Sequence, residues 1–201
     1  SLLNPNTASS TTSTTVVREI RDTRAALLIW NSALFPSAVD VRRLATLGVD
    51  AVGQVPSMRW NVASTSTRER HGGFVEGVER FDATRIGTSS AEATAMDPQQ
   101  RLLIERATCA PLANECGVGV SVGISVMDFD TVLRDVLPVC VYSGTGSGHS
   151  VASGRISFVL ALQGPCLTID TACSAALVAC DAALAHLSLT TAAISASVNA
   201  M

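Results

Sequence analysis

The sequence predicts an α/β fold, because segments with the pattern of buried strands alternate with segments of helical spacing. Residues 25–30 (AALLIW) are a continuous apolar run, which is typical of a strand buried on both faces. Residues 118–125 (VGVSVGIS) alternate with glycine and predict an interior strand, and residues 193–199 predict the last strand. Residues 39–47 have helical spacing, and a second helix is expected to begin at Pro98.

The composition argues against several classes of function. Only 15% of the 201 residues are charged, the net charge is −3, and the 14 Lys and Arg residues are scattered, so no nucleic-acid-binding surface is expected. No uninterrupted apolar run reaches about 18 residues, and we therefore expect no membrane span. The six cysteines form no CxxC pair and no Cys/His cluster with zinc-ligand spacing, which argues against a metal site.

Residues 1–24 are expected to form a flexible arm, and residues 25–201 a single folded domain. The first 15 residues, SLLNPNTASSTTSTT, are rich in Ser and Thr and lack apolar periodicity. Because the sequence begins at Ser1 and not at Met, a processed product and the remnant of a targeting peptide both stay open. The spread of the cysteines favours a reducing intracellular compartment, either the cytoplasm or an organelle such as a plastid or mitochondrion.

The segment 164–187 carries a candidate nucleophile, Cys173. A short apolar and β-branched run ends at Asp170, and three residues later a stretch rich in Ala and Leu begins, which predicts a strand, a tight turn and a helix. Free N–H groups and the dipole at a helix start stabilise a thiolate, the nucleophilic form of cysteine. Most free cysteines are nevertheless small buried hydrophobic residues, and the local pattern alone favours that second interpretation.

Four motifs resemble a known family, and this resemblance favours the interpretation of Cys173 as a nucleophile. They are HGGFVEGVERFD at 71–82, MDPQQRLLIE at 96–105, GTGSGHSVASGRISFVLALQGP at 144–165 and DTACSAALVA at 170–179. They resemble segments of the β-ketoacyl synthases, the condensing enzymes of polyketide and fatty-acid synthesis, whose acyl-accepting cysteine lies in a motif similar to the last one. The likeness extends over residues 25–201 and is greatest to the modular polyketide-synthase branch.

This resemblance implies a thiolase-like fold, which is built from two similar halves, each a mixed five-stranded sheet with helices on both faces. The chain matches only the N-terminal half. The second half of such enzymes contributes two histidines, in HGTGT-like and NIGH-like motifs, and a supporting lysine, and neither motif occurs in this sequence. The helix that begins at Pro98 is also interrupted, because Pro111 is expected to end it early.

The resemblance also implies the site. Cys173 would accept the acyl group, and the glycine-rich segment 143–155 and the residues after the strand at 118–125 would line the acyl pocket. The candidate substrate-binding residues are Met127, Gly146, His149, Ser150 and Phe158. No directly bound cofactor is expected, and the substrate would be an acyl chain linked through phosphopantetheine to a carrier protein. His71 is expected to be structural, and His186, on the helix after Cys173, lies in no catalytic motif of the family.

Two functions stay open from the sequence. In the first, the chain is the N-terminal half of a working synthase, whose partners are an acyl-carrier protein, a complementary half and a second copy paired through the strand before Asp170. In the second, it is a catalytically inactive, synthase-derived structural or assembly subunit of a larger complex. Because condensation needs groups that stabilise an enolate, Cys173 alone is not expected to complete it. A solitary cysteine hydrolase is disfavoured, since no third orienting group is evident.

Overall fold

The structure is a computed structural model that describes residues 15–18, 25–30, 47–48, 50, 52–61, 70–74, 78–108, 117–126, 128–136, 138 and 140–198. The chain divides into two compact units, one containing Ser1–Ser13 with Ser32–Gly77 and the other Thr14–Asn31 with Val78–Met201. The single domain expected at 25–201 stays a prediction. Cys173 and the described candidate pocket residues belong to the second unit.

The elements are numbered in chain order. The strands are β1 (Thr15–Arg18), β2 (Ala25–Trp30), β3 (Gly53–Gln54), β4 (His71–Gly72), β5 (Val118–Ile124), β6 (Cys166–Ile169) and β7 (Ala192–Val198). The helices are α1 (Ala83–Ile86), α2 (Ser90–Ala95), α3 (Pro98–Ala107), α4 (Asp128–Val136), α5 (Ser143–Ser147), α6 (Ala152–Val159) and α7 (Ala175–His186). Two 3₁₀ turns, His149–Val151 and Ala172–Ser174, directly precede α6 and α7.

The second unit is built on a mixed five-stranded sheet in the order β1-β2-β7-β5-β6. Strand β1 is antiparallel to β2, whereas the pairs β2–β7, β7–β5 and β5–β6 are parallel. The sheet confirms the predicted fold class. Strand β1 lies within residues 1–24, where a flexible arm was expected. It forms because the β-branched Thr15, Val16 and Val17 favour pairing with β2. The short strands β3 and β4 pair in the first unit.

Strand β5 is buried along its whole length and presents a different surface to each side of the sheet. Val118, Val120, Val122 and Ile124 join one apolar core with buried residues of α3 and α6. The alternate residues of β5 are small and face α7, since a Cβ on Gly119 or Gly123 would contact that helix. Helices therefore cover both faces of the sheet, as the resemblance implied.

Helix α7 is apolar on two sides. Its buried side follows helical spacing and consists of Ala175, Ala179, Ala183 and His186, which pack on the small residues of β5 and β7. The other side exposes large apolar side chains, with exposed fractions of 76% for Leu177, 38% for Val178 and 46% for Leu184. Asp181 is also exposed on this side, so the outer side of α7 is mainly but not wholly apolar.

Helix α3 begins and ends where the sequence predicts. Asp97 Oδ1 accepts a hydrogen bond of 2.7 Å from the N–H of Gln99, and Pro98 occupies the first helical position. The helix ends at Ala107, four residues before Pro111, as expected for an interrupted helix.

The helix expected at 39–47 lies largely outside the described residues. In the part of the chain that the structure describes, no helix has the length and apolar character needed to cross a membrane.

The burial of Asp97 predicts a dependence of stability on pH. Burial raises the pKa of this carboxyl above its ordinary value of 3.8, against the opposing effects of the Gln99 N–H and the charges of His149 and Arg101. The folded state therefore binds the proton more tightly than the unfolded state, and this contribution to stability is lost as pH rises above 3.8 through the raised pKa. Relative to Asp97→Asn, the free energy of unfolding of the wild-type protein should fall over that range.

Urea denaturation at a series of pH values, from about 3 to about 7, measures this difference. The control is Asp135→Asn, which changes an exposed carboxyl near the end of α4 and should leave the wild-type profile unchanged. Parallel stability profiles of the wild-type protein and Asp97→Asn would show that burial does not raise the pKa of Asp97.

Candidate active site

Cys173 lies in the turn that joins the edge strand β6 to helix α7. Strand β6 ends at Ile169, Cys173 is the central residue of the 3₁₀ turn Ala172–Ser174, and α7 begins at Ala175. This arrangement confirms the predicted strand, tight turn and helix. The residue is exposed and its thiol is free, so the expectation of a small buried hydrophobic residue is wrong for the described chain.

The backbone next to Cys173 is strained and held by hydrogen bonds. Ala172 has a φ of +53°, a left-handed conformation that costs a residue with a Cβ about 1–2 kcal/mol. Its N–H donates to Asp170 Oδ1 at 3.0 Å, and Ser174 Oγ donates to the carbonyl oxygen of Thr171 at 2.9 Å. A strained strand-to-helix turn is a known way of exposing a nucleophile at the end of a sheet.

A glycine in the neighbouring strand fixes the start of helix α7. Gly123 of β5 is paired in register with Ile169, the last residue of β6. A Cβ placed on Gly123 would lie 2.5 Å from the carbonyl oxygen of Ala175, which is too close for two non-bonded atoms. The close packing of β5 against the first turn of α7 thus requires glycine and sets the position of the turn that carries Cys173.

The glycine-rich segment that precedes β6 is helical. It forms α5, the 3₁₀ turn His149–Val151 and α6, and the 3₁₀ turn packs against β6. Ser153 at the start of α6 is tied to β6, because its N–H donates to Thr168 Oγ1 at 3.3 Å and Thr168 Oγ1 donates to Ser153 Oγ at 2.9 Å. These contacts place the segment beside the strand that leads to Cys173.

The candidate substrate-binding residues occupy different environments. Gly146 is buried in α5, its carbonyl oxygen accepts a hydrogen bond from the N–H of Asp97, and a Cβ there would overlap the carbonyl oxygen of Ala95. His149 is half-buried and Ser150 is exposed in the 3₁₀ turn. The ring of Phe158 on α6 is 87% exposed. Met127 lies outside the described residues, and the role of all five in acyl binding stays a prediction.

The other two histidines occupy positions typical of structural residues. His186 is buried at the end of α7, with its Nδ1 3.4 Å from Ser121 Oγ. A Cβ on Gly119 would lie 3.1 Å from the same nitrogen, so this glycine makes room for the imidazole. His71 is exposed in β4 of the first unit. Among the described residues, no group of three or more His, Cys, Asp or Glu side chains is arranged to hold a metal ion.

The thiol of Cys140 has a lowered pKa that the sequence did not indicate. Hydrogen bonding from the Ser143 hydroxyl, with an Oγ–Sγ distance of 3.5 Å, lowers the pKa of the exposed Cys140 thiol, and the N–H of Tyr142 acts in the same direction. The Ser143 Oγ also accepts a hydrogen bond of 3.0 Å from the N–H of Cys140. The only sequence signal is a serine three residues after the cysteine, just before the glycine-rich segment.

We expect Cys140 to be alkylated by iodoacetamide at lower pH than an ordinary thiol. The reagent attacks the thiolate, and a lowered pKa moves the onset of reaction to lower pH. Ser143→Ala removes the largest cause of the shift and should move the onset back to higher pH. Peptide mass spectrometry of samples labelled across a pH series measures the onset for each cysteine. An unchanged onset for Cys140 in Ser143→Ala would refute the assigned cause.

Comparisons with known proteins show the family of the chain. The family model described as "Beta-ketoacyl synthase, N-terminal domain" matches residues 31–201. The pikromycin polyketide synthase component PikAII of Streptomyces venezuelae is 42% identical over 163 residues, which are 71% of this chain and 4% of that protein. The polyketide synthase GfsA of Streptomyces halstedii is 45% identical over 131 residues, which are 61% of this chain and 2% of that protein.

A solved structure supports the same family. The ketosynthase from module 6 of the bacillaene synthase of Bacillus subtilis 168 superposes with a TM-score of 0.62 at 27% identity, covering 72% of this chain and 25% of that chain. The chain therefore spans a quarter of that ketosynthase and less than a tenth of the two polyketide synthases named above. With its matching residues, sheet order and cysteine turn, the chain belongs to the β-ketoacyl synthase family, of which it represents the N-terminal domain.

Proposed function

We propose that this chain is the nucleophile-bearing half of a ketosynthase that acts in polyketide synthesis. The observation that carries the proposal is the exposed Cys173 thiol in a strained turn at the start of α7. The relatives named above are polyketide synthases, which supports this function over that of an inactive derived subunit. The substrate is an acyl chain carried as a phosphopantetheine thioester on a carrier protein.

The first step is acyl transfer to Cys173. The thiolate attacks the carbonyl carbon of the thioester, a carbon–sulfur bond to Cys173 Sγ forms, and the bond to the pantetheine sulfur breaks. The leaving pantetheine thiolate takes up a proton and departs with the carrier. Backbone N–H groups at the start of the twelve-residue helix α7 are suited to stabilise the negative charge that develops on the acyl oxygen.

The second step requires a complementary half. Condensation releases carbon dioxide from a malonyl unit and leaves an enolate, which needs hydrogen-bond donors beyond those near Cys173. The apolar outer side of α7, with Leu177, Val178 and Leu184, is a surface that a second half would cover. This half would hold the acyl group on Cys173, and the second half would supply the donors that stabilise the enolate beside it.

A second copy of the chain is a further proposed partner. In the described sheet, β6 lies at the edge, and its residues Cys166 and Leu167 are exposed. An edge strand with free backbone N–H and C=O groups is suited to pair with the same strand of another molecule. Because β6 leads directly to Cys173, such pairing would steady the turn that carries the nucleophile.

A condensation assay tests the proposal. The protein is primed with an acyl-pantetheine thioester and supplied with malonyl-carrier, either alone or with the separately produced second half of a related ketosynthase. We expect acylation in both samples and release of carbon dioxide only in the second. The absence of acylation in both samples would refute the proposal and support an inactive subunit, and condensation by the chain alone would refute the need for a second half.

A further inference from the structure

Two adjacent glutamines in the first turn of α3 connect distant segments of the second unit. Gln99 and Gln100 are 3% and 1% exposed. Gln99 Nε2 donates to the carbonyl oxygen of Val126 at 3.0 Å. Gln100 Nε2 donates to the carbonyl oxygen of Gly148 at 3.0 Å and to that of Thr145 at 3.4 Å. Two neighbouring buried amides thus bind two loops that lie 27 and 48 residues farther along the chain.

The first of these loops begins where β5 ends. Strands β5 and β6 are parallel, and Gly123 is paired with Ile169. Val126 and the turn with Cys173 therefore both follow the carboxyl ends of neighbouring strands, at the same end of the sheet. Val126 has a φ of +71°, a conformation that a β-branched residue rarely adopts. The hydrogen bond from Gln99 to its carbonyl oxygen holds this strained residue in place.

The second loop joins α5 to the 3₁₀ turn that packs against β6. Gly148 directly precedes that turn, and a Cβ there would lie 2.9 Å from the carbonyl oxygen of Gly144. The backbone of this loop is therefore tightly folded, and Gln100 donates to the carbonyl oxygen of Gly148 and to that of Thr145 in the preceding helix α5. Since the 3₁₀ turn contacts β6, displacement of this loop would reach the strand that leads to Cys173.

We propose that Gln99 and Gln100 are positioning residues that fix, one loop each, the loop after β5 and the loop before the 3₁₀ turn that packs against β6, the strand that leads to Cys173. This inference rests on the proposed function, because the two loops are the expected walls of the acyl pocket. The carbonyl groups of Val126, Thr145 and Gly148 accept hydrogen bonds, so only the NH₂ end of each amide can satisfy them. Helix formation does not require these side chains, since Asp97 already caps α3.

Hydrogen exchange on the full chain tests the two contacts separately. Gln99→Met and Gln100→Met keep the side-chain volume and remove the donor. We expect Gln99→Met to speed amide exchange about tenfold in the peptide that contains Val126, and Gln100→Met to do so in the peptide that contains Gly148. Gln163→Met, at an exposed position just before β6, is the matched control and should change neither peptide.

A conservative variant separates a positioning role from loss of volume or stability. In Gln99→Glu, the buried carboxyl is expected to be neutral and to donate its proton to the carbonyl oxygen of Val126, which restores slow exchange. Should Gln99→Met fail to fold, Gln99→Glu at pH values above and below its titration gives the same comparison. Exchange that speeds up in both loops with either variant, or in neither loop, would overturn the proposal.

The effect of the two loops on acyl binding is measured with two reagents of different size. In each methionine variant the KM for an acyl-pantetheine thioester should rise about fivefold, whereas the alkylation rate of Cys173 by the small reagent iodoacetamide should stay within about twofold. If the KM for the thioester and the alkylation rate of Cys173 changed by the same factor, a positioning role would be overturned. Failure of the wild-type protein to be acylated would refute the proposed function, and the exchange experiment would still decide whether the glutamines hold the loops.

Discussion

Cys173→Ala is expected to abolish acyl transfer and to lower the rate of thioester cleavage by at least about 10³-fold. The reason is that the thiol forms the bond to the acyl carbon, and alanine leaves no atom that can replace it. Because residue 173 is exposed, the substitution should leave the stability of the fold within about 0.5 kcal/mol. The rate is measured as pantetheine thiol released from an acyl-pantetheine thioester.

Two more cysteines that are exposed among the described residues provide matched controls. Cys140→Ala and Cys166→Ala remove free thiols of similar exposure outside the turn. Both variants should retain the wild-type rate of thioester cleavage. If Cys173→Ala cleaved the thioester as fast as these two variants, Cys173 would not be the nucleophile.

Gly123→Ala should destabilise the protein by about 3 kcal/mol and slow acyl transfer by about 10²-fold. The new Cβ would lie 2.5 Å from the carbonyl oxygen of Ala175 and 2.8 Å from the backbone nitrogen of Ala176. Both atoms belong to the backbone of α7, so the helix has to move away from β5, and Cys173 moves with it. Urea denaturation measures the stability, and thioester cleavage measures the displacement of the nucleophile.

Gly154→Ala is the control for this substitution. Gly154 lies within α6, and a Cβ there would meet no atom within 4 Å. Alanine favours a helix over glycine by about 1 kcal/mol, so this variant should be slightly more stable than the wild-type protein. Equal stability of Gly123→Ala and Gly154→Ala would show that β5 and α7 are not closely packed.

Most of the sheet could be predicted from the sequence because its strands have strong local patterns. The all-buried β5 is a run of alternating small and β-branched residues, and β2 is an uninterrupted apolar run. The turn at Cys173 was also predictable, since a strand pattern ends three residues before an Ala- and Leu-rich helix. Strand β1 was not predicted, because its four residues follow a Ser/Thr-rich stretch and are specified by pairing with β2.

The features that support the site depend on contacts between distant residues, and the sequence does not reveal them. Gln99 and Gln100 are polar residues at the start of a helix, where solvent exposure is the usual expectation. Their burial follows from the packing of α3 on the sheet core and on the loops that their amides bind. The helices α5 and α6 of the glycine-rich segment were not predicted either, and α6 packs on β6 and on α3.

The most direct test of Cys173 as the nucleophile is to locate the acyl group after the wild-type protein has reacted with an acyl-pantetheine thioester. Peptide mass spectrometry at neutral pH distinguishes Cys173 from Cys140, whose lowered pKa makes it a competing thiol. We expect one acyl group per chain, on Cys173, and its loss in Cys173→Ala. An acyl group on Cys140 with Cys173 unmodified would contradict the assignment of the nucleophile.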